Sequence, residues 1–308
     1  MPIEQVDKIW MDGELVDWAE AKIHVLSHAL HYGSGVFEGI RAYSTARGPA
    51  VWHLDAHLDR MYASASIYYM DIPFSKQELV DATKETIRAN GLESCYIRPI
   101  AFRGYGEMGV NPLNAPVNVS IAVWAWGAYL GEEALEQGVR VKVSSWKRAD
   151  QNTLPSAAKA SGGYLVSILA KVESLKAGYD EAVLLNHEGY IAEGSGENIF
   201  VVKDGVLSTP PTSVAALGGI TRSSVATIAR DLGYEVVERN LVRSDLYLAD
   251  EAFFTGTAAE LTPIREVDDR RVGAGHRGPV TKDLQDAFFS ATKGEDPRYA
   301  DWLTYVND

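Results

Sequence analysis

The chain has 308 residues, 46% hydrophobic and 23% charged, with a formal net charge of −13. That length holds two domains with sizeable cores, and the acidic balance argues against a nucleic-acid or anionic-membrane partner. No apolar run approaches the ~20 residues that span a bilayer. The first residues, Met1 to Asp7, lack the basic and apolar regions of a signal peptide, and the single cysteine, Cys95, excludes an intrachain disulfide or a thiolate metal cluster. A cytoplasmic protein is expected.

In chain order, Ile9 to Val16 reads as strand, Asp-Gly turn and strand. A short helical segment near Ser27 precedes Tyr32-Gly33-Ser34-Gly35-Val36-Phe37-Glu38-Gly39-Ile40-Arg41, glycine-rich and then strand-forming. Val51 to Leu54 is a strand candidate, and Asp55 is placed to cap a helix with Leu58, Met61, Tyr62 and Ala65 on one face. Arg60 lies just off that stripe. Ser75-Lys76-Gln77-Glu78 is a capping box for a helix that Gly91 ends. The β-rich segments Cys95–Tyr105 and Val117–Trp126 complete a first domain, residues 1–126. Residues 127–138 are expected to be a linker, and 139–308 a larger second domain.

That second domain opens on the strand Val139–Val143 and reaches Leu154-Pro155-Ser156-Ala157-Ala158-Lys159-Ala160-Ser161-Gly162-Gly163-Tyr164. Leu165, Ile168, Leu169, Val172 and Leu175 then recur at helical spacing, so a buried helix is expected, stopped at Gly178. Ala182–Leu185 and Asn198–Val202 are strands, the latter turned back through Asp204-Gly205. Thr221–Leu232 is a helix ended by Gly233, and Glu235–Val237 and Ala252–Thr255 are further strands. Strands and helices mix without strict βαβ alternation, which favours an α+β fold.

Chemistry is concentrated in that half. A lysine among small residues is accessible, and in an apolar setting its ammonium loses hydration, so the neutral amine can act as a nucleophile. Lys159 therefore suits Schiff-base chemistry. Glu193, between apolar and glycine neighbours, reads as a partly buried carboxylate that needs a cation or strong donor; a protonated pyridine nitrogen is one such partner. Leu217-Gly218-Gly219-Ile220-Thr221 opens a helix with backbone N–H groups that suit a phosphate, and Thr221 can also cap. Thr255-Gly256-Thr257-Ala258 can offer N–H groups to a carboxylate or phosphate. Tyr164 is close to Lys159 in sequence; by itself it reads as a core tyrosine. Gly104-Tyr105-Gly106-Glu107-Met108-Gly109 matches a dinucleotide fingerprint by letter, but no helix is expected after it. His24, His28, His31, His53 and His57 form no metal-binding frame and read as capping or surface histidines; no metal is expected.

Taken together, the lysine, the Glu193-Gly194-Ser195-Gly196-Glu197-Asn198 segment, the glycine-pair turn and Gly256-Thr257-Ala258-Ala259-Glu260-Leu261-Thr262-Pro263 resemble the fold-type IV pyridoxal-phosphate enzymes, and among them the bacterial branched-chain amino-acid aminotransferases. The likeness covers essentially the whole chain. It implies a two-domain α+β architecture with pyridoxal 5′-phosphate between the domains. It implies that Lys159 carries the cofactor and shuttles the proton. Glu193 would face the pyridine nitrogen, and Tyr164 the phenolic oxygen. Arg60, Gly218, Gly219, Ile220, Thr221 and Thr257 would hold the phosphate, with Leu217 against the ring. Thr257, Ala258 and Tyr96 would meet the substrate carboxylate. Tyr32, Phe37, Gly39, Val110, Trp126 and Tyr129 would wall an apolar pocket, and Arg98 would accept the distal carboxylate of glutamate. Val110 and Arg41 would come near a neighbouring subunit's site, implying a homo-oligomer with a dimer as its minimum unit and a hexamer as a further assembly.

The expected reaction is transamination of L-leucine, L-isoleucine or L-valine with 2-oxoglutarate. A D-amino-acid or (R)-amine transaminase, or an aminodeoxychorismate lyase, would share the fold but generally lacks the paired Tyr-Gly-x-Gly-Val-Phe-Glu-Gly and Tyr-Ile-Arg-Pro patterns. A non-enzymatic binding protein would need Lys159 to hold the cofactor without turnover.

Overall fold

A computed structural model describes residues 3–127 and 130–308, and its strands fall into two sheets. They belong to two units. The first comprises Met1–Trp126, Ala158–Gly162 and Ala291–Asp308; the second comprises Gly127–Ala157 and Gly163–Ser290.

The eight-stranded sheet of the first unit runs, edge to edge, Leu303–Tyr305, Gly48–Trp52, Ile40–Thr45, Cys95–Arg103, Val117–Trp124, Lys8–Met11 and Glu14–Asp17, with Gly35–Phe37 also on Cys95–Arg103. Its pairings are antiparallel. The first hairpin turns at Asp12 and Gly13, both with positive φ, as the Asp-Gly pair predicts. Helices Leu54–Ile67 and Lys76–Ala89 lay Leu58, Met61, Leu79 and Ile87 into one core with Ile97, Ile121 and Val123. The Ser75–Glu78 capping box is present in both directions. The other helix start differs from expectation. His53, at φ 51°, is the N-cap, and Asp55 lies inside the first turn.

Hydrogen bonding explains why two late segments group with this unit, although both were expected in the second domain. Leu303–Tyr305 pairs with Gly48–Trp52, and Ala160 bridges Val36. Within the stretch expected to be a linker, Glu132–Gln137 forms a short helix of the second unit, with Ala134 against its core.

The nine-stranded sheet of the second unit runs Ile191–Gly194, Glu181–Leu185, Val139–Lys147, Glu260–Val267, Glu251–Gly256, Asn198–Lys203, Val206–Thr209 and Glu235–Glu238, with Arg270–Arg271 on Glu260–Val267. Val139–Lys147 is parallel to both its neighbours, and Val206–Thr209 is parallel to Glu235–Glu238; the rest are antiparallel. This is the mixed α+β class that the sequence predicts.

Helix Tyr164–Lys176 corrects one expectation. The apolar stripe Leu165, Ile168, Leu169, Val172 and Leu175 is 42–67% exposed in the single chain. The buried positions are Ser167, Ala170 and Ser174. Small residues on the inner face let the helix lie close to the sheet, where Ala170 packs with Ala182 and Leu184. Periodicity identified the helix but not which face was covered.

Candidate active site

Lys159 is held at both backbone atoms within the first unit. Its N–H donates to Ser64 Oγ at 3.1 Å, and its carbonyl accepts from Phe37 N at 3.0 Å. The flanking Ala158 and Ala160 are buried, while Lys159 is only partly so, with Nζ 5.2 Å from the Phe37 ring centroid. Small neighbours thus sink the backbone while the lysine side chain stays only partly buried. Gly33 at φ 65° and Gly162 meet directly beside this segment, and a Cβ on Gly33 would lie 3.0 Å from Gly162 Cα.

Arg60 sits one turn before Ser64 on helix Leu54–Ile67. Its Nε and Nη2 donate to the two oxygens of Glu38, each at 2.7 Å. His57 Nδ1 lies 2.8 Å from the same carboxylate. Glu38 is completely buried. Burial alone would raise its pKa, but the charge and hydrogen bonds of Arg60, with His57, hold it down at about 2. Burial pushes His57 down, so the imidazole is neutral near pH 7 and donates Nδ1–H to Glu38. His57 is therefore a core histidine and not the capping or surface residue expected. His28 is buried too, between Ser34 Oγ at 2.6 Å and the Gly109 carbonyl at 2.8 Å.

Tyr96, Arg98 and Trp126 gather around Trp124, and Phe37 joins them through Arg98. The Tyr96 ring lies 5.1 Å from Trp124 and 5.0 Å from Trp126. The Arg98 guanidinium stands 4.8 Å from Phe37 and 5.3 Å from Tyr96. Its Nη2 donates to Tyr96 Oη at 3.2 Å, and its buried Nε has no partner among the described residues. Gly39 is sterically required: a Cβ there would lie 2.0 Å from Tyr96 Oη. Arg41 anchors the end of the cluster by donating to the Trp126 carbonyl at 3.1 Å. Tyr32, 48% exposed, packs its ring at a tilt against His28, and Val110 is 88% exposed; neither has a ring or hydrogen-bond contact with this cluster among the described residues. Tyr129 lies outside the described residues.

In the second unit the buried Glu193 is met by Arg148 Nε at 3.0 Å and by the Leu217 N–H at 2.9 Å. The Leu217 carbonyl accepts from Asn198 Nδ2 at 2.9 Å, so this residue is clamped on both sides. Two residues on, Gly219 is the N-cap of helix Ile220–Asp231 and provides no side-chain cap. A Cβ on Gly219 would collide with Asn198 Oδ1 at 1.8 Å. Thr221 lies within the first turn, buried, and is not the cap that the sequence allowed. The first N–H groups of this helix lack intrahelical acceptors, which suits an anion. Thr257 and Ala258 form the turn between strands Glu251–Gly256 and Glu260–Val267, and partly buried Tyr164 opens helix Tyr164–Lys176.

The donor set fits pyridoxal phosphate. A primary amine on a rigid backbone suits the aldehyde, and an uncapped helix start suits the phosphate. Glu193 uses two of the roughly four acceptor positions of a carboxylate on Arg148 and Leu217, which leaves capacity for a ring N–H. Arg148 escaped the sequence reading, which gave Glu38, His57 and Asn198 no part in the site. The signal that could have found Arg148 is the demand of a buried acid for a cation, but sequence spacing does not say which arginine answers it. Among the described residues no group of acidic, histidine or cysteine side chains could hold a metal, and no helix is long and apolar enough to cross a membrane.

The sequence profile of the class IV amino-transferase family matches residues 35–267. A branched-chain-amino-acid aminotransferase of Pseudomonas aeruginosa is 53% identical over 298 residues, covering 97% of each chain. One from Escherichia coli is 52% identical over 308 residues, covering both chains completely. Among solved structures, the Escherichia coli branched-chain amino acid aminotransferase superposes with a TM-score of 0.97 at 52% identity, over 98% of this chain and 100% of that one. A T.th. branched-chain amino acid aminotransferase with pyridoxamine 5′-phosphate gives 0.96 at 53% identity, over 98% and 99%.

Proposed function

The chain belongs to the class IV aminotransferase family, and from that premise we propose that it transfers the amino group of L-leucine, L-isoleucine or L-valine to 2-oxoglutarate. The observation that carries this reading is the 52% identity along all 308 residues to an enzyme of that name. Its cofactor is pyridoxal 5′-phosphate, as befits a family whose solved members hold pyridoxamine phosphate and a phosphopyridoxyl glutamate.

When bound, the cofactor supplies an electron sink for charge developing at the substrate α-carbon. The remaining work falls to this chain's residues. Lys159 would carry the cofactor and would move a proton between the substrate α-carbon and the cofactor C4′. Its doubly bonded backbone fixes where that amine starts from. Glu193, oriented by Arg148 and Leu217, accepts the pyridine N–H, and Tyr164 donates to the phenolic oxygen. Leu217 packs against the ring. Arg60, Gly218, Gly219, Ile220, Thr221 and Thr257 hold the phosphate. N–H groups of Thr257 and Ala258, with the Tyr96 hydroxyl, hold the substrate carboxylate.

Phe37, Gly39 and Trp126 present an apolar wall, to which Tyr32, Val110 and Tyr129 belong in this reading, and Arg98 takes the distal carboxylate of glutamate. Apolar walls beside one guanidinium let branched side chains and a carboxylate share a pocket. The exposed stripe from Leu165 to Leu175, with exposed Val25, Leu30, Tyr32 and Val110, supports a homo-oligomer of at least two copies. Light scattering on the eluted peak tests that, and a monomer would remove Val110 and Tyr32 from the pocket. A cytoplasmic location accompanies the proposal, in keeping with a lone, buried cysteine.

The decisive experiment is the absorption spectrum before and after L-leucine, with no 2-oxo acid present. A yellow protein that L-leucine converts to the pyridoxamine form is expected, and Lys159→Ala is expected to abolish transamination. A yellow protein that responds to a D-amino acid or an (R)-amine but not to L-leucine would keep the family and discard the substrate.

A further inference from the structure

One face of helix Leu54–Ile67 delivers three polar side chains, His57, Arg60 and Ser64, to two points that are adjacent in the fold. His57 and Arg60 take Glu38, and Ser64 takes the backbone of Lys159. Glu38 directly follows Phe37, whose N–H donates to the Lys159 carbonyl, and Glu38 is itself fixed by its own N–H on the Pro99 carbonyl at 2.9 Å. The carboxylate is thus tied to the Lys159 segment by one residue of strand and one turn of helix.

A buried ion pair is poor evidence of stability in itself, because desolvation offsets the attraction. What it supplies here is direction. A guanidinium is planar with donors in a fixed fork, so engaging the Nε–Nη2 edge at 2.7 Å and 2.7 Å fixes where its Nη1 corner points. Neutral His57 holds the second Glu38 oxygen from the same helix, so the carboxylate cannot swing away from Arg60.

We propose that Glu38 is a positioning residue that aims Arg60 at the phosphate of the cofactor, with His57 holding the carboxylate in place. The proposal rests on Arg60 being a phosphate ligand. It concerns the direction of the side chain, not any vacant donor on it. Its consequence is selective: Glu38 should matter for cofactor that has a phosphate and not for the same ring without one.

The test is to strip the holoenzyme of cofactor and titrate it with pyridoxal 5′-phosphate and, separately, with pyridoxal, following the absorbance of the lysine-bound chromophore. Glu38→Gln keeps the shape and removes the charge. It should weaken pyridoxal phosphate about tenfold or more, the scale of a disturbed buried charge pair, and leave pyridoxal within about twofold. Equal loss for both ligands, or loss for neither, overturns the proposal. Glu38→Asp keeps the charge pair but shortens the reach by one methylene. It should show the same selectivity if Glu38→Gln does not fold, and equal affinities to the parent for both ligands would overturn the proposal. Arg60→Lys separates the two layers. If it leaves the ratio of the two affinities unchanged, Arg60 is not a phosphate ligand and the underlying reading fails. If it lowers that ratio while Glu38→Gln does not, positioning alone fails. Adding Glu38→Gln to Arg60→Lys should cause no further selective loss, and additive losses would mean that Glu38 acts by another route.

Discussion

Glu38 in the first unit and Glu197 in the second are both carboxylates taken out of water, and they end in opposite charge states. Glu38 has Arg60 on both oxygens and His57 beside one of them, and its pKa falls to about 2. Glu197 is buried, and the negative charge of Glu181 adds to the effect of burial; the Gly196 N–H at 3.0 Å and the charge of Lys171 only partly oppose them. Its pKa is pushed up to about 8, so it keeps its proton at neutral pH. Lys171 Nζ lies on Glu181 at 2.5 Å. Burial is common to both acids; the committed partner decides the outcome.

The sharpest way to break that comparison is to delete each side chain. Glu38→Ala leaves the largely buried Arg60 guanidinium without the carboxylate that holds it, and should cost about 3–5 kcal/mol of unfolding free energy. Glu197→Ala removes an uncharged group and its hydrogen bond from the N–H of exposed Gly196, which water can meet, a loss of about 0.5–1.5 kcal/mol. Urea denaturation of both variants at pH 7 measures the difference. Equal costs would mean that the two acids carry the same charge.

The same contrast holds between two arginines. Arg60 receives its carboxylate from the chain, whereas Arg98 has a buried Nε with no partner among the described residues and otherwise meets rings and the Tyr96 hydroxyl. Under the proposed function glutamate supplies the missing acid. Arg98→Ala should therefore lower kcat/KM for glutamate about 10–100-fold, the equivalent of a charged hydrogen bond of about 1.5–3 kcal/mol. L-leucine, with no distal carboxylate, should change by less than about threefold. Half-reaction kinetics with each amino acid settles it, and equal losses would remove Arg98 from its role.

How much of this was readable beforehand follows a physical line. Hairpins, caps and glycine stops are local, so Asp12-Gly13, the Ser75 box, Gly91, Gly178 and Gly233 were legible as written. The surroundings of Lys159 and of the glycine pair at 218–219 are local too: buried Ala158 and Ala160 flank the lysine, and Gly219 stands at a helix start. The partners of buried charge were not legible. Glu38 meets Arg60 22 residues away, and Glu193 meets the Leu217 N–H 24 residues away. Nothing in local spacing reports such meetings. The stripe from Leu165 to Leu175 misled for a related reason: an apolar face shows that something covers it, without saying whether that cover belongs to the same chain.

The smallest effect tests the charge state of Glu197 most directly, through pH. A carboxyl group whose folded pKa is raised binds a proton that the unfolded chain has already released, so stability is full below the ordinary 4.5 and is lost as pH rises toward about 8. For Glu38 the sign reverses: its contribution is full above 4.5 and is lost as pH falls toward about 2. The amide of Glu197→Gln still accepts from Gly196 but has no proton to lose. Its Tm should match that of the parent near pH 5 and exceed it by a few degrees, ~2–5 °C, at pH 8. Scanning calorimetry across that range reads the slope, and acid unfolding below pH 4 should stay unchanged because Glu38 is intact. If the parent's Tm rose between pH 5 and 8 and the variant's rose in parallel, Glu197 would be ionised like Glu38, and burial beside Glu181 would not be what keeps its proton on.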